Sequence, residues 1–298
     1  MVDIENIYDL TDLDAKVEAA LSRGDERGLD VLAYGEISVV LRVDTPSGPI
    51  ACKRLPIFEN VETLRRYRRC LERYLGDLRG RGVQVVPTDL CVVARADGSR
   101  AGYCVQPLLD SEALATRVLR RGNKADGVAM FRKVVDAICA AVSPRLGLDA
   151  QLSNWTYVDG QLTYLDVTTP LVRDVEGNNE LDADLFLAAL PRPLRVPVKR
   201  WVLADITDKY HNPRGVIVDA ISNLHKEQLT NWIPAFIGIA NEVVSTPITA
   251  AEVARYYKFD ARTWAALLWL RHADRAWHRR VLQRPYPFLL PKKIDRHV

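Results

Sequence analysis

Apolar residues recur at helical spacing over positions 10–23, behind a Thr/Asp start and ahead of Gly24, which predicts a leading helix. The pattern then changes to short β-rich runs at 29–34, 39–43 and 50–55, with a Thr-Pro-Ser-Gly turn at 45–48 between the last two. Three antiparallel strands follow from it. Positions 59–77 return to helical spacing, with Val61, Leu64, Cys70, Leu71 and Leu75 as the apolar side and arginines over much of the remainder. Two more strands, 90–94 and 103–108, flank the turn residues Asp97-Gly98-Ser99. Beyond them the chain reads as helical at 112–121, 126–143, 214–226, 248–258 and 261–282. One hairpin interrupts these helices, with strands 155–158 and 162–167 joined by Asp159-Gly160. The fold class predicted is α+β: a part spanning 1–108, with a five-stranded antiparallel sheet and one helix after its third strand, and a mainly helical part spanning 109–298.

Composition sharpens this picture by exclusion. Hydrophobic residues make up 48% and charged residues 27% of 298, which fits a packed globular chain and neither a disordered nor a fibrous one. No apolar run approaches the roughly 20 residues that span a bilayer, and the N-terminus is acidic where a secretory signal would be basic and then apolar, so a cytoplasmic location is expected. The net charge of +3 gives no reason to expect nucleic acid. Arg65, Arg66, Arg68 and Arg69 read as a solvated helix face. Cys52, Cys70, Cys91, Cys104 and Cys139 are odd in number and scattered, which predicts buried free thiols rather than disulfides or zinc. The five histidines form no metal-binding motif. Trp201, Trp232, Trp264, Trp269 and Trp277 are expected in the core, and a basic, aromatic tail is expected to pack on the chain. Asp182, Asp184, Asp205 and Asp208 read as helix caps or loop charges, with recognition of a cationic substrate as the alternative.

Candidate chemistry lies in a few separated residues. Lys53 stands on the third predicted strand in Ala-Cys-Lys-Arg-Leu, and Glu72 follows on the next helix, with Glu62 as a second carboxylate there. Asp149-Ala-Gln-Leu-Ser-Asn154 follows a long helix and precedes the hairpin, whose second strand ends at Asp166. In this order, the elements and residues resemble the protein-kinase-like superfamily, nearest to its aminoglycoside-phosphotransferase-like and small-molecule kinase branches. The resemblance covers about residues 29 to 170 and implies a bilobal fold with an ATP site between the two parts.

It also implies roles. Lys53 would hold the α- and β-phosphates, and Glu72 would fix its ammonium. Asp149 would take the proton of an acceptor hydroxyl, while Asn154 and Asp166 would bind Mg²⁺. Gly35 and Ser38, in the turn between the first two strands, would cover phosphate. Gln106 and Leu108 would line the adenine pocket through backbone groups. The activity implied is phosphoryl transfer to a hydroxyl of a small molecule, or secondarily of a protein. The departures are Gly147-Leu148 ahead of Asp149, Gln151 where a lysine or histidine is usual, and Val167-Thr168 after Asp166. They leave two alternatives open: a pseudokinase that binds nucleotide or acts as a scaffold, and transfer of an adenylyl group on the same fold.

Overall fold

The element order follows from alternation and breakers in the first third of the chain, and from buried helix faces thereafter. A computed structural model describes residues 7–35, 38–187, 195–196 and 207–290, and is α+β. Strands β1 (Val31–Tyr34), β2 (Val39–Thr45), β3 (Gly48–Arg54), β4 (Asp89–Ala94) and β5 (Arg100–Pro107) form one antiparallel sheet in the order β1-β2-β3-β5-β4. Helix α1 (Thr11–Arg23) precedes the sheet, and α2 (Val61–Gly80) follows β3, capped by the Asn60 side chain accepting from Thr63 N.

Alternation along the strands divides the sheet into two faces. Leu41, Ile50, Cys52, Tyr103 and Val105 pack against Leu13, Val17 and Leu21 of α1. Cys104 belongs instead to the larger core that includes α2, and its β3 neighbour in the register is Lys53. The α1 face carries a buried polar cluster: Arg95 bonds Asp14 and Glu18, Arg54 bonds Glu18, and the Tyr103 hydroxyl donates to Asp14 Oδ1. Each buried charge therefore has a partner, as burial requires.

The remaining described helices are α3 (Ala115–Arg120), α4 (Lys124–Ala141), α5 (Ala183–Leu187), α6 (Pro213–Lys226), α7 (Ile233–Asn241) and α8 (Ala250–Arg280). Every residue of α6 from Val216 to Leu224 is buried, polar Asp219, Ser222 and Asn223 included. Two strands, β6 (Trp155–Val158) and β7 (Gln161–Tyr164), form the predicted hairpin. Its Asp159-Gly160 turn has positive φ at both positions, 49° and 77°, as a tight hairpin connection demands. Tyr164 exchanges backbone hydrogen bonds with Gln84 and Val86, tying this hairpin to the approach to β4.

Several expectations need correction. The helices expected at 248–258 and 261–282 are one continuous α8, because no Gly or Pro interrupts the chain between them. Cys139 is exposed, while the other four cysteines are buried and all five are free. Trp232 is buried, but Trp269 and Trp277 are 69% and 56% exposed; Trp201 lies outside the described residues. The arginines of α2 are not simply solvated, since Arg66 pairs with Asp182, Arg73 with Glu180, and Arg68 bonds Leu90 O. The tail packs as expected as far as it is described: Tyr286 and Leu290 are buried, and Arg54 donates to Pro287 O. No described helix is long and apolar enough to cross a membrane.

A close approach gives a direct test of this packing. A Cβ on Gly127 of α4 would lie 2.3 Å from the Trp232 ring and 3.0 Å from Leu119. Alanine normally stabilises a helix by about 1 kcal/mol over glycine. Here the overpacking cost, about 1–3 kcal/mol, is expected to dominate. Gly127→Ala should therefore lower Tm; a thermal melt in which it rises would refute the Trp232 placement.

Candidate functional site

Lys53 is held centrally in the sheet, paired with Val40 of β2 on one side and Cys104 of β5 on the other. Its Nζ lies 2.7 Å from Asp166 Oδ1, across 113 residues of sequence, with the two side chains 21% and 30% exposed. Asp166 is delivered by the hairpin: β7 ends at Tyr164, and Leu165 N donates to Asn154 O at 2.9 Å, closing the hairpin's base. The Thr168 hydroxyl also donates to Asp166 Oδ1 at 2.9 Å. Burial opposes the charge on Asp166, but the Lys53 ammonium and the Thr168 bonds outweigh it and hold the carboxyl below its usual range.

Asp149 lies in a loop fastened on both sides. Gly147 N donates to Leu171 O at 2.7 Å and Leu148 N to Tyr210 O at 3.1 Å, while the Tyr74 hydroxyl of α2 donates to Gly147 O. A Cβ at 147 would meet Leu171 at 2.9 Å and Tyr210 O at 3.0 Å, so glycine admits this close approach. Asn154 Nδ2 donates to Asp149 O at 3.1 Å, and Gln151 N to Asp149 Oδ1 at 3.3 Å, so both ends of the six-residue motif fold onto one turn. The Asp149 carboxyl is pushed up to about 7, first by burial, then by the charges of Asp219 and Asp166, with Lys209 acting in the opposite direction.

Asp219, Lys209 and Tyr256 were not singled out as a group by the sequence. Lys209 Nζ lies 3.0 Å from Asp219 Oδ1 and 3.0 Å from the Tyr256 hydroxyl, which itself donates to Asp219 Oδ1 at 2.7 Å. Burial works against the Lys209 charge, but Asp219 and Tyr256 overcome it and hold the ammonium above the usual lysine range. These residues come from a short turn, α6 and α8, so no local motif joins them. A polar residue within the apolar run of α6 was the one signal available.

The other expected positions divide. Gly35 N donates to Ser38 O at 2.8 Å, and a Cβ on Gly35 would lie 3.9 Å from Lys53 Cε, so this turn stands beside Lys53. Glu36 and Ile37 between them lie outside the described residues. Gln106 directs its amide to Leu165 O at 2.9 Å and Thr88 Oγ1 at 3.0 Å. The Leu108 amide is committed to Pro49 O at 3.1 Å, which removes that donor from the expected adenine-reading set.

Glu72 is a correction. It is exposed, as is Glu62, and the ion-pair partner of Lys53 is Asp166. The buried side of α2 instead presents Leu64, Tyr67, Leu71 and Tyr74, because a helix can turn only one stripe inward. Tyr67, on the buried side, donates its hydroxyl to Thr168 O at 2.9 Å. Of the loop carboxylates, Asp182 pairs with Arg66 and accepts from Asp184 N ahead of α5, and Asp208 pairs with Arg173. Asp205 lies outside the described residues.

The arrangement has two chemical capacities. Asn154 commits Nδ2 to Asp149 O, which leaves its carbonyl Oδ1 as a hard acceptor, and Asp166 is anionic on the adjoining turn. Among the described residues no group of three or more His, Cys, Asp or Glu is placed to hold a metal. A carboxylate with an amide oxygen nevertheless suits Mg²⁺, which keeps waters and shares phosphate oxygens rather than needing a full protein cage. The second capacity is proton acceptance near neutrality at Asp149.

The site thus defines an α+β protein with a lysine–aspartate pair beside a tightly folded acidic loop. The chain belongs to the family described as a family of unknown function (DUF6206), whose pattern matches residues 12–275, from α1 well into α8. No curated protein matches it.

Proposed function

We propose that this chain is an ATP- and Mg²⁺-dependent phosphotransferase of the protein-kinase-like kind, acting on a hydroxyl of a small molecule, with a protein hydroxyl as second choice. The observation that carries the reading is the 2.7 Å pair between Lys53 and Asp166, formed beside the Asp149–Asn154 turn. Magnesium ATP, when bound, supplies the phosphoryl group and an electrophilic phosphorus. Lys53 would neutralise phosphate charge from the sheet side, and Asp166 with Asn154 Oδ1 would hold the cation. Asp149 accepts the proton as the acceptor oxygen bonds to phosphorus and the bond to the ADP oxygen breaks. A carboxylate poised at about 7 is suited to that exchange.

A second reading, a nucleotide-binding module without transfer, draws on α2 presenting Tyr67 and Leu71 inward while Glu72 is exposed. The decisive experiment is calorimetry with a non-hydrolysable ATP analogue, with and without Mg²⁺, followed by a metabolite panel. Magnesium-dependent binding with phosphorylated product supports the first reading, and binding without product supports the second. No nucleotide binding under either condition removes both.

A further inference from the structure

The resemblance puts a lysine or histidine two residues after Asp149, and Gln151 stands there instead. A neutral amide cannot balance the charge on a phosphoryl group in transit, and Asp149, Asp166 and Asp219 already crowd the site with carboxylates. The chain brings an ammonium in from elsewhere. Lys209 belongs to a segment fastened to the Asp149 loop through Leu148 N and Tyr210 O, 3.1 Å apart. Its Nζ is fixed by Asp219 and Tyr256, each at 3.0 Å, and lies 4.7 Å from the centre of the Tyr210 ring.

Asp219 is 2% exposed and fixed in α6, so it serves as an anchor, while the Lys209 side chain retains 22% exposure. An ammonium has three N–H donors, and Asp219 and Tyr256 account for two. Leu148 and Tyr210, joined by that backbone hydrogen bond, are the chain neighbours of Asp149 and Lys209, so the Lys209 segment runs alongside the Asp149 loop, and the Asp149 carboxyl responds to the charges of Lys209, Asp219 and Asp166.

We infer that Lys209, braced by Asp219 and Tyr256, is a catalytic residue that contacts the transferred phosphoryl group, supplying the positive charge that Gln151 lacks. This rests on the phosphotransferase reading above.

The test compares binding of a non-hydrolysable ATP analogue with binding of ADP, both with Mg²⁺, by calorimetry on the full chain. In Lys209→Met the ATP analogue should weaken about tenfold or more, the size of a lost charge-assisted bond, with ADP affinity unchanged. Lys209→Arg should recover part of the difference. Lys53→Met should weaken both ligands, since it faces phosphates that they share.

A purely structural Lys209 would lower Tm and weaken both nucleotides alike in the methionine variant. That result overturns the inference, as does wild-type protein that binds the two nucleotides equally. Should Lys209→Met fail to fold, Tyr256→Phe, which keeps the ring and loosens the brace, is expected to diminish the preference for the ATP analogue; an unchanged preference counts against the inference. Loss of the Lys209 effect with the Lys53 effect intact sinks this inference alone. Wild-type protein that binds neither nucleotide sinks the phosphotransferase reading with it.

Discussion

Asp166→Ala is expected to weaken Mg²⁺-dependent nucleotide binding by on the order of a hundredfold or more, while lowering the stability of the fold by a smaller amount. The carboxylate has two duties in the proposed site: it is the anionic metal ligand, and it holds Lys53 at 2.7 Å. Loss of a charged ligand and of the lysine's placement together are worth about 3 kcal/mol or more, hence the fold-change. Stability should respond less. The carboxyl held below its usual range contributes some stability at neutral pH, but the two side chains keep 21% and 30% access to water, so the loss is smaller than for a fully buried pair. Calorimetry in magnesium and in a chelator separates the two effects, because only the magnesium-dependent part should vanish. Glu72→Gln is the matched control and should leave affinity within about twofold, since exposed substitutions away from contacts change free energies by only tenths of a kcal/mol. Full magnesium-dependent affinity in Asp166→Ala would remove Asp166 from the site.

Asp149→Asn is expected to abolish the proposed phosphoryl transfer and yet to make the nucleotide-free protein more stable at alkaline pH. In the folded chain the Asp149 carboxyl titrates at about 7. In an unfolded chain an aspartate titrates near 3.9. The folded state therefore keeps a proton that the unfolded state has released. Stability from this residue is complete below about pH 4 and is lost progressively as pH rises through about 7. Asparagine has no such dependence, and Asn154 bonds the backbone carbonyl of residue 149, which the substitution retains. The gain of the variant over wild type should grow from pH 5 to pH 8 by on the order of 2 kcal/mol, read from urea denaturation at both values. A difference independent of pH would show that the carboxylate is not held in an unfavourable environment.

Much of the fold was readable because its periods are local. The strands are short β-rich runs parted by turns that carry Gly, Pro or Asp-Gly, and the longer helices carry apolar residues at helical spacing. The misses have equally local reasons. Helix α7 is apolar on most sides and lacks the two-sided pattern that would have announced it, and α8 was divided where polar residues broke its stripe without any backbone breaker.

Residue order alone placed Lys53 on the third strand and the Asp149–Asn154 turn before the hairpin, since each depends on neighbours within a few positions; it put Asp166 on the hairpin's second strand, which ends two residues earlier at Tyr164. Which side of α2 turned inward was a different matter: Glu72 and Tyr67 are both helical, and competition among apolar side chains for the larger core buried Tyr67 and left Glu72 in water. The convergence of Lys209, Asp219 and Tyr256 also arose only on packing, because attraction between charges acts through space and leaves no spacing rule along a chain.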